Sequence, residues 1–174
     1  MLDNVKSKYI LIKIFENIRN KRKLNIIKFN KGIKTKLNIT KEDLEIYIYL
    51  KDFNDKYSSN IEDIDIKEIN LYQGYINNEG LKDLFKIQFK ELKELNLSCN
   101  EISDINILEK VNFNKLNKLN LSNNKISDIN ILEKVNFKEL KELDLRGNEI
   151  SDISILEKVN FKELKKLDIG RYQI

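Results

Sequence analysis

The sequence of 174 residues contains no histidine, no tryptophan and no proline, and it has one cysteine and five glycines. The absence of histidine removes the commonest general base and the commonest transition-metal ligand. Cys99 has no partner for an intramolecular disulfide, which favours a reducing, intracellular location. The glycines are scattered singly, so they form no glycine-rich phosphate-binding loop. The composition predicts a protein that is not an enzyme and that holds no cofactor or metal ion.

Long hydrophobic runs are also missing from the sequence. No stretch approaches the ~18 apolar residues of a membrane-spanning helix. The N-terminal segment contains a short apolar stretch that Lys13 interrupts, and it lacks the small-residue cleavage site of a signal peptide. This pattern is typical of an amphipathic helix, and we expect a cytoplasmic protein.

Charge is distributed unevenly along the chain. Residues 1–40 carry eleven Lys or Arg against Asp3 and Glu16, a net charge of +9, whereas the rest of the chain carries more acidic than basic side chains. A basic segment can bind nucleic acid or an anionic membrane surface. The chain is rich in Lys, Asn and Ile throughout, which is typical of an AT-rich genome and weakens that interpretation.

One segment of the sequence occurs three times. ISDINILEKVNF fills residues 102–113 and returns unchanged at 126–137, and a near copy fills 150–161. Leucines recur at the same constant interval, at Leu92, Leu116, Leu140 and Leu164. A fixed period between ~20 and ~50 residues is the signature of a stacked-repeat architecture, in which each unit buries its apolar side against copies of itself.

Each repeat combines a strand pattern with a helical one. Around Leu119 and Leu121 apolar and polar residues alternate, as in a half-buried strand. The segment that follows has helical spacing, with Ser127 as its predicted N-cap and Asp128 at its positive end. Phe113, Phe137 and Phe161 close successive units and are predicted to stack behind the strands. Strands joined by helical segments predict a parallel sheet and an α/β fold.

The opening L-x-x-L-x-L-x-x-N of each unit resembles the leucine-rich repeat, and ISDIxxLEKV is most similar to the internalin and phosphatase-regulator branches of that family. The resemblance covers residues 66–174 and implies a leucine-rich repeat solenoid with strands on its concave face. It divides this region into a degenerate first repeat at 66–91, full repeats at 92–115, 116–139 and 140–163, and a shortened repeat at 164–174.

The resemblance also assigns roles to two sets of residues. It implies that the asparagines form a ladder bonding backbone groups in the turn after each strand, at Asn100, Asn124 and Asn148. It implies that outward strand positions form a concave surface for another protein. The predicted protein-binding residues are Tyr72, Glu94, Asn96, Lys118, Asn120, Glu142, Asp144, Arg146, Lys166 and Asp168.

Residues 1–65 lack the repeat, and their apolar spacing predicts a bundle of small helices that caps the first repeat. The pattern of residues 44–50, LEIYIYL, fits either a helix or a strand. Residues 8–37 weakly resemble an F-box, which implies an alternative function as a substrate adaptor of a ubiquitin ligase that binds a Skp-type partner. A second alternative is that the basic segment binds nucleic acid or a membrane surface.

Two further features have structural explanations. Asp104, Asp128 and Asp152 recur once per unit, which predicts a role in the fold and not a catalytic or calcium site. Cys99 is predicted to be a partly buried structural thiol. At the C-terminus we expect Tyr172 and Ile174 to fold over the last strand as a lid, which favours a monomer. A two-fold dimer through this edge is the alternative.

Overall fold

A computed structural model describes Gly32, Thr35 and residues 41–61 and 64–170 of the chain. Five short strands form one parallel sheet, and each strand pairs with its neighbours in chain order. They are β1 (Glu68–Asn70), β2 (Glu94–Asn96), β3 (Lys118–Asn120), β4 (Glu142–Asp144) and β5 (Lys166–Asp168). The α/β solenoid that the repeat period predicts is confirmed.

The register of the sheet follows the sequence period. The middle residues of successive strands lie opposite one another, in the order Ile69, Leu95, Leu119, Leu143 and Leu167. The first four are buried in one continuous hydrophobic core. A slip of one residue would move these side chains to the solvent side, so burial of this row fixes the register.

The segments behind the sheet are shorter than full helices in most repeats. Asn106–Lys110, Asn130–Glu133 and Ser154–Glu157 form short 3₁₀ turns, whereas the first repeat contains α2 (Asn78–Phe85), a true α-helix. The greater length of the first repeat accommodates this helix, which Asn77 caps by accepting a 3.0 Å hydrogen bond from the backbone N–H of Gly80.

The prediction that Ser127 is an N-cap is wrong. The turn at Asn130–Glu133 receives no side-chain cap of that kind, and the carboxylate of Asp128 instead accepts a 2.8 Å hydrogen bond from the backbone N–H of Asn130. Asp104 and Asp152 bond the backbone two positions on in the same way, also at 2.8 Å. An aspartate closes such a local turn without a helical N-terminus, so the recurring aspartates replace the predicted serine cap.

The phenylalanines behind the strands pack in two ways. Phe137 and Phe161 stack with ring centroids 6.1 Å apart, as predicted. Phe113 instead meets the edge of Phe85 of α2, at 5.3 Å. The difference arises because, among the described repeats, α2 belongs to the first one alone and brings an aromatic ring of its own to Phe113.

Residues 44–50 belong to α1 (Lys41–Tyr57), which settles the helix–strand ambiguity. Leu50 and Phe53 are buried, and Ile46 and Tyr57 are half-buried against the same core. The spacing of these positions, with intervals of four, three and four, matches one face of a helix. On that face, the Tyr57 ring lies where a Cβ at position 80 would approach it to 3.1 Å, so glycine lets α1 and α2 meet closely.

Charged groups join α1 to α2 at the edge of this contact. Asp83 accepts hydrogen bonds from Lys56 and Lys86, each at 2.7 Å, and from the Tyr57 hydroxyl at 3.2 Å. Burial pushes the pKa of Asp83 upward, but the hydrogen bonds from the two lysines outweigh it and lower the pKa to about 2. Asp83 is therefore ionised wherever the protein is folded near neutral pH.

Several predictions for the chain termini lie outside the described residues. They include the F-box-like segment at 8–37, apart from Gly32 and Thr35, and the lid of Tyr172 and Ile174. The division at residue 65 stays a prediction, although α1 and Ile61 share the hydrophobic core of the repeats.

Phe137 is 3% exposed and should be one of the largest contributors to stability in the repeats. We expect Phe137→Ala to lower the free energy of unfolding by about 3–5 kcal/mol, through lost transfer energy and the cavity left behind. Phe161→Ala should cost clearly less, because Phe161 is only half-buried. Denaturant unfolding measures both values, and a loss below ~1 kcal/mol for Phe137→Ala would contradict its assigned place in the core.

The contact of Asp83 predicts a dependence of stability on pH. Its pKa is about 2 in the folded chain against a reference value of 3.8, so its contribution is present above the reference value and is lost as pH falls toward 2. Asp83→Asn should lower stability at neutral pH and reduce the further loss between about pH 4 and about pH 2. Glu133→Gln, at an exposed 3₁₀ turn, is the matched control for unfolding curves across this range. If Asp83→Asn and the native chain lost equal stability as the pH falls, this assignment would be refuted.

Candidate functional site

The solvent side of the sheet carries three rows of side chains, one residue from each repeat per row, and we call this surface the outer sheet face. The first row comprises Glu68, Glu94, Lys118, Glu142 and Lys166. The second row comprises Asn70, Asn96, Asn120, Asp144 and Asp168. The third row follows the strands and comprises Tyr72, Ser98, Ser122, Arg146 and Gly170. All the residues predicted to bind a protein belong to these rows.

The second row has a structural role that sequence reasoning missed. In every described strand its side-chain oxygen accepts a hydrogen bond from the backbone N–H two positions on, at distances from 2.9 to 3.2 Å. Asn96 also donates to the side chain of Asn70 at 3.1 Å. The signal in the sequence is the invariable Asn or Asp at this position, since these residues bond their own backbone two positions on. Replacing a member of this row alters the turn as well as the surface.

The first row changes in electrostatic character along the sheet. Lys118 and Glu142 form an ion pair of 3.7 Å, and both are about half exposed. Glu68 and Glu94 lie directly opposite each other on β1 and β2. Within the described part of the chain neither glutamate has an ion-pair partner. Like charges at directly opposed positions of neighbouring strands repel. Glu94 also lies opposite Lys118, but Lys118 pairs with Glu142, so this end of the row carries more negative than positive charge.

Two of the third-row positions are closed to a partner. Ser98 and Ser122 are buried, although their position in the strand pattern predicts exposure. Both side chains are small, and the Ser98 hydroxyl donates to Asn96 at 2.7 Å. Tyr72, by contrast, is 52% exposed. The nearby Cys99 side chain raises the pKa of Tyr72.

Arg146 is held in place by two aspartates. Its guanidinium bonds Asp144 at 2.6 and 3.0 Å, and its Nε lies 3.2 Å from a carboxylate oxygen of Asp168. Burial pushes the pKa of Asp144 upward, but side-chain and backbone hydrogen bonds from Arg146 outweigh it and keep that pKa below its usual range. A partner that used Arg146 as an anchor would first have to compete with these two carboxylates.

A shallow groove of about 210 Å³ crosses strands β3 to β5 between these side chains. The charged residues that line the groove are Lys118, Glu142, Asp144, Arg146 and Lys166. Small-molecule sites in proteins usually exceed ~300 Å³ and are mostly apolar. The groove therefore fits a side chain that projects from another protein better than it fits a free ligand.

The asparagine ladder lies beside the sheet and is buried. The amide of Asn124 donates to the carbonyls of Leu97, Leu121 and Ser122 at 3.0 to 3.3 Å, and its oxygen accepts from the N–H of Ile102 at 3.0 Å. Asn100 and Asn148 make the corresponding contacts one repeat away. Each side chain thus links the turn of its own repeat to the preceding one, which makes these residues part of the frame.

Cys99 occupies a special backbone position. It has a positive φ of 56°, and the corresponding residues of the neighbouring repeats, Gln73, Asn123 and Gly147, have φ between 51° and 64°. Asn and Gly tolerate this left-handed conformation best, so the sequence carried a signal at positions 123 and 147. The half-buried thiol of Cys99 matches the predicted structural role.

The recurring acidic residues do not converge on one site. In the part of the chain that the structure describes, no three acidic or cysteine side chains are grouped as metal ligands. Asp104, Asp128 and Asp152 each serve the local turn described above. The described residues also include no helix both long and apolar enough to cross a membrane.

Comparison with known proteins agrees with this geometry. A family model described as leucine rich repeat matches residues 90–150. Residues 90–150 of this chain are leucine-rich repeats. No curated protein matches the sequence.

Two solved structures of internalins from Listeria monocytogenes are similar to the chain. Internalin inlF is 28% identical, with a TM-score of 0.40 over 52% of this chain and 27% of the internalin. Internalin C2 (inlC2) is 23% identical, with a TM-score of 0.48 over 69% of this chain and 55% of the internalin. The chain therefore spans about a quarter and about half of the lengths of these two proteins.

The contacts of Asn124 generate a prediction about the frame. Asn124→Ala should lower the free energy of unfolding by about 1–3 kcal/mol, because it leaves buried carbonyls and a buried N–H without their partner. Asn136→Ala, at an exposed asparagine of the same repeat, is the matched control. Chemical denaturation of both variants measures the difference. Unchanged stability in Asn124→Ala would place this asparagine outside the frame.

Proposed function

We propose that this chain is a non-enzymatic binding module that holds another protein against its outer sheet face. The observation that carries the proposal is the pair of Glu68 and Glu94, which oppose each other without an ion-pair partner among the described residues, at the same end of the outer sheet face as the exposed Tyr72. Leucine-rich repeats support protein interaction in general. The geometry of the glutamate pair favours one part of the outer sheet face as the place of contact. The sequence also lacks histidine, which leaves catalysis without its commonest general base.

The charge of this surface favours a partner with basic side chains. Glu68 and Glu94 repel each other across β1 and β2, and a cation placed between them would relieve that repulsion. Lys67 and Lys93 precede these glutamates, but both contribute, after Lys115, to lowering the pKa of Glu91, which lies in the segment before β2. A basic partner side chain is therefore the complementary cation for the glutamate pair.

Tyr72 is a better anchor than Arg146. Tyrosine and arginine are both enriched among residues that dominate binding energy. Arg146 is bound to Asp144 and Asp168, whereas Tyr72 is about half exposed at the β1 end of the face. We therefore assign the primary contact to the β1–β2 end of the outer sheet face and a secondary contact to the groove across β3 to β5.

The size of the face limits the affinity that it supports by itself. Five strands at ~4.8 Å spacing span about 20 Å, and a standard interface buries ~800 Å² on each partner. A partner that stays on the outer sheet face binds weakly, and a tighter one also contacts the turns beside the sheet, where Tyr75 is 85% exposed. Tyr75 offers a second exposed aromatic ring there.

The two alternative functions depend on residues 8–37 and 1–40. The described residues in these segments are Gly32 and Thr35. Binding of a Skp-type adaptor, nucleic acid or a membrane surface therefore stays a prediction from the sequence.

Charge reversal at the glutamate pair tests the proposal. We expect Glu68→Lys/Glu94→Lys to lower the affinity for a captured protein partner by about tenfold or more, since the new lysines then face a basic surface of that partner. Glu133→Lys/Glu157→Lys makes the same change at the exposed 3₁₀ turns and should leave binding intact. Affinity capture from the native cell identifies the partner, and calorimetry with the purified pair measures the affinity. Loss of binding in the second variant alone would place the site on the opposite side of the solenoid.

A second comparison ranks the two anchors. Tyr72→Ala should weaken the complex more than Arg146→Ala, because of the two side chains only the arginine is already engaged in ion pairs on the face. The opposite order would move the primary contact to the groove across β3 to β5. Neither substitution removes a side chain of the second row, so the turns after the strands stay intact.

A further inference from the structure

The last strand leaves the end of the core open within the described part of the chain. Leu167 is 36% exposed, whereas the corresponding Leu143 of the preceding repeat is 1% exposed. The same loss of cover affects the whole layer: Ile153, Phe161, Leu164 and Ile169 are exposed or half-buried, and Ile129, Phe137, Leu140 and Leu145 are buried. An apolar layer and a strand edge at the same place favour association with another strand.

The backbone of β5 has hydrogen-bonding groups on both sides. On the inner side, Lys166 N–H donates to Lys141 at 3.0 Å, and the Asp168 carbonyl accepts from Leu145 at 2.7 Å. Backbone groups of successive strand residues point to opposite edges. The N–H and C=O of Leu167 therefore point away from β4, toward the open edge.

The sequence of β5 is complementary to itself when it runs antiparallel. If two copies meet with Leu167 opposite Leu167, the two leucines exchange a pair of backbone hydrogen bonds. Lys166 of each copy then lies opposite Asp168 of the other, at a position where Cα atoms are only ~4.5 Å apart. Lys166 and Asp168 lie on the outer face of the sheet, and Leu167 lies on the core face. Opposite charges of the two copies therefore pair on the outer face, and the two leucines continue the buried row.

This complementarity is confined to β5 among the five described strands. The outward residues are Glu and Asn in β1 and β2, Lys and Asn in β3, and Glu and Asp in β4. An antiparallel copy of β4 would place Glu142 opposite Asp144 and repel itself. Only in β5, where the outward residues are Lys and Asp, does each copy offer the opposite charge.

We propose that the chain forms a two-fold dimer in which the β5 strands of two copies pair antiparallel about Leu167 and join their sheets into one. The occupant of the open edge is a second copy of this chain, because hydrogen bonds, charge and apolar surface all match under the same two-fold axis. A two-fold contact uses each pair twice, so Lys166–Asp168 contacts occur on both sides of the axis.

Charge swaps at β5 test the dimer independently of partner binding. Analytical ultracentrifugation of the full chain at tens of micromolar should show a dimer. Lys166→Asp or Asp168→Lys alone places like charges opposite each other twice, and each should weaken dimerisation about tenfold or more. The combined variant Lys166→Asp/Asp168→Lys restores opposite charges and should restore the dimer. Lys134→Asp makes the same change at an exposed turn and should have no effect.

The outcomes separate this proposal from simple misfolding and from the binding function. Asp168 also accepts from Gly170 and pairs with Arg146, so circular dichroism must show that each variant is folded. A monomeric native chain, a dimer insensitive to both single changes, or a folded double variant that stays monomeric overturns the proposal. A dimer that Glu68→Lys/Glu94→Lys dissociates also overturns it, because the contact then lies on the glutamate pair.

Discussion

Satisfying buried backbone groups in the turn after each strand is the constraint on which the solenoid depends. Each turn is followed by a segment that packs behind the sheet. The carbonyls of the turn are therefore shielded from water at a point where no strand supplies them with a partner. Asn100, Asn124 and Asn148 each supply an amide that donates to carbonyls of two successive turns and accepts one N–H. An unpaired buried group costs about 1–3 kcal/mol, which three turns without asparagine would multiply. The ladder thus links each repeat to the preceding one as firmly as the leucine row does.

The sequence was sufficient to predict the elements that repeat. Its constant period aligned Leu95, Leu119, Leu143 and Leu167, and the structure places them opposite one another. The period works because one unit cannot bury its apolar side alone, so every copy packs against its neighbours in the same way. The first repeat is slightly longer than the others and had room for a longer element, but its length alone could not distinguish an α-helix from a 3₁₀ turn.

Elements that occur once were harder to predict. LEIYIYL satisfies both a strand and a helical pattern, and the decision came from Leu50, Phe53 and Tyr57, which face α2 at helical spacing. The sequence does not reveal that contact, because a separate strand, β1, lies between α1 and α2 in the chain. The burial of Ser98 and Ser122 was missed for a related reason: alternation identifies the outward side of a strand but not whether the folded chain covers it.

The candidate site differs from the frame in how its charges are arranged. In the second row two neighbouring acids, Asp144 and Asp168, are bridged by Arg146. In the first row Lys118 lies between Glu94 and Glu142 and pairs with one of them. A sequence selected only for stability would offset the first-row acids at β1 and β2 in the same way, since one lysine there removes the repulsion.

Glu68 and Glu94 form no ion pair among the described residues, and they lie at the same end of the sheet as the exposed Tyr72. Local arrangements that reduce stability without a structural reason are concentrated at functional sites. The glutamate pair is therefore better explained by a cation that arrives from outside the chain than by the requirements of the fold. The two proposals assign different roles to the two ends of the sheet: β5 pairs with a copy of itself, whereas β1 and β2 bind a partner of opposite charge. A dimer joined through β5 then presents two β1–β2 surfaces, one at each far end of the joined sheet.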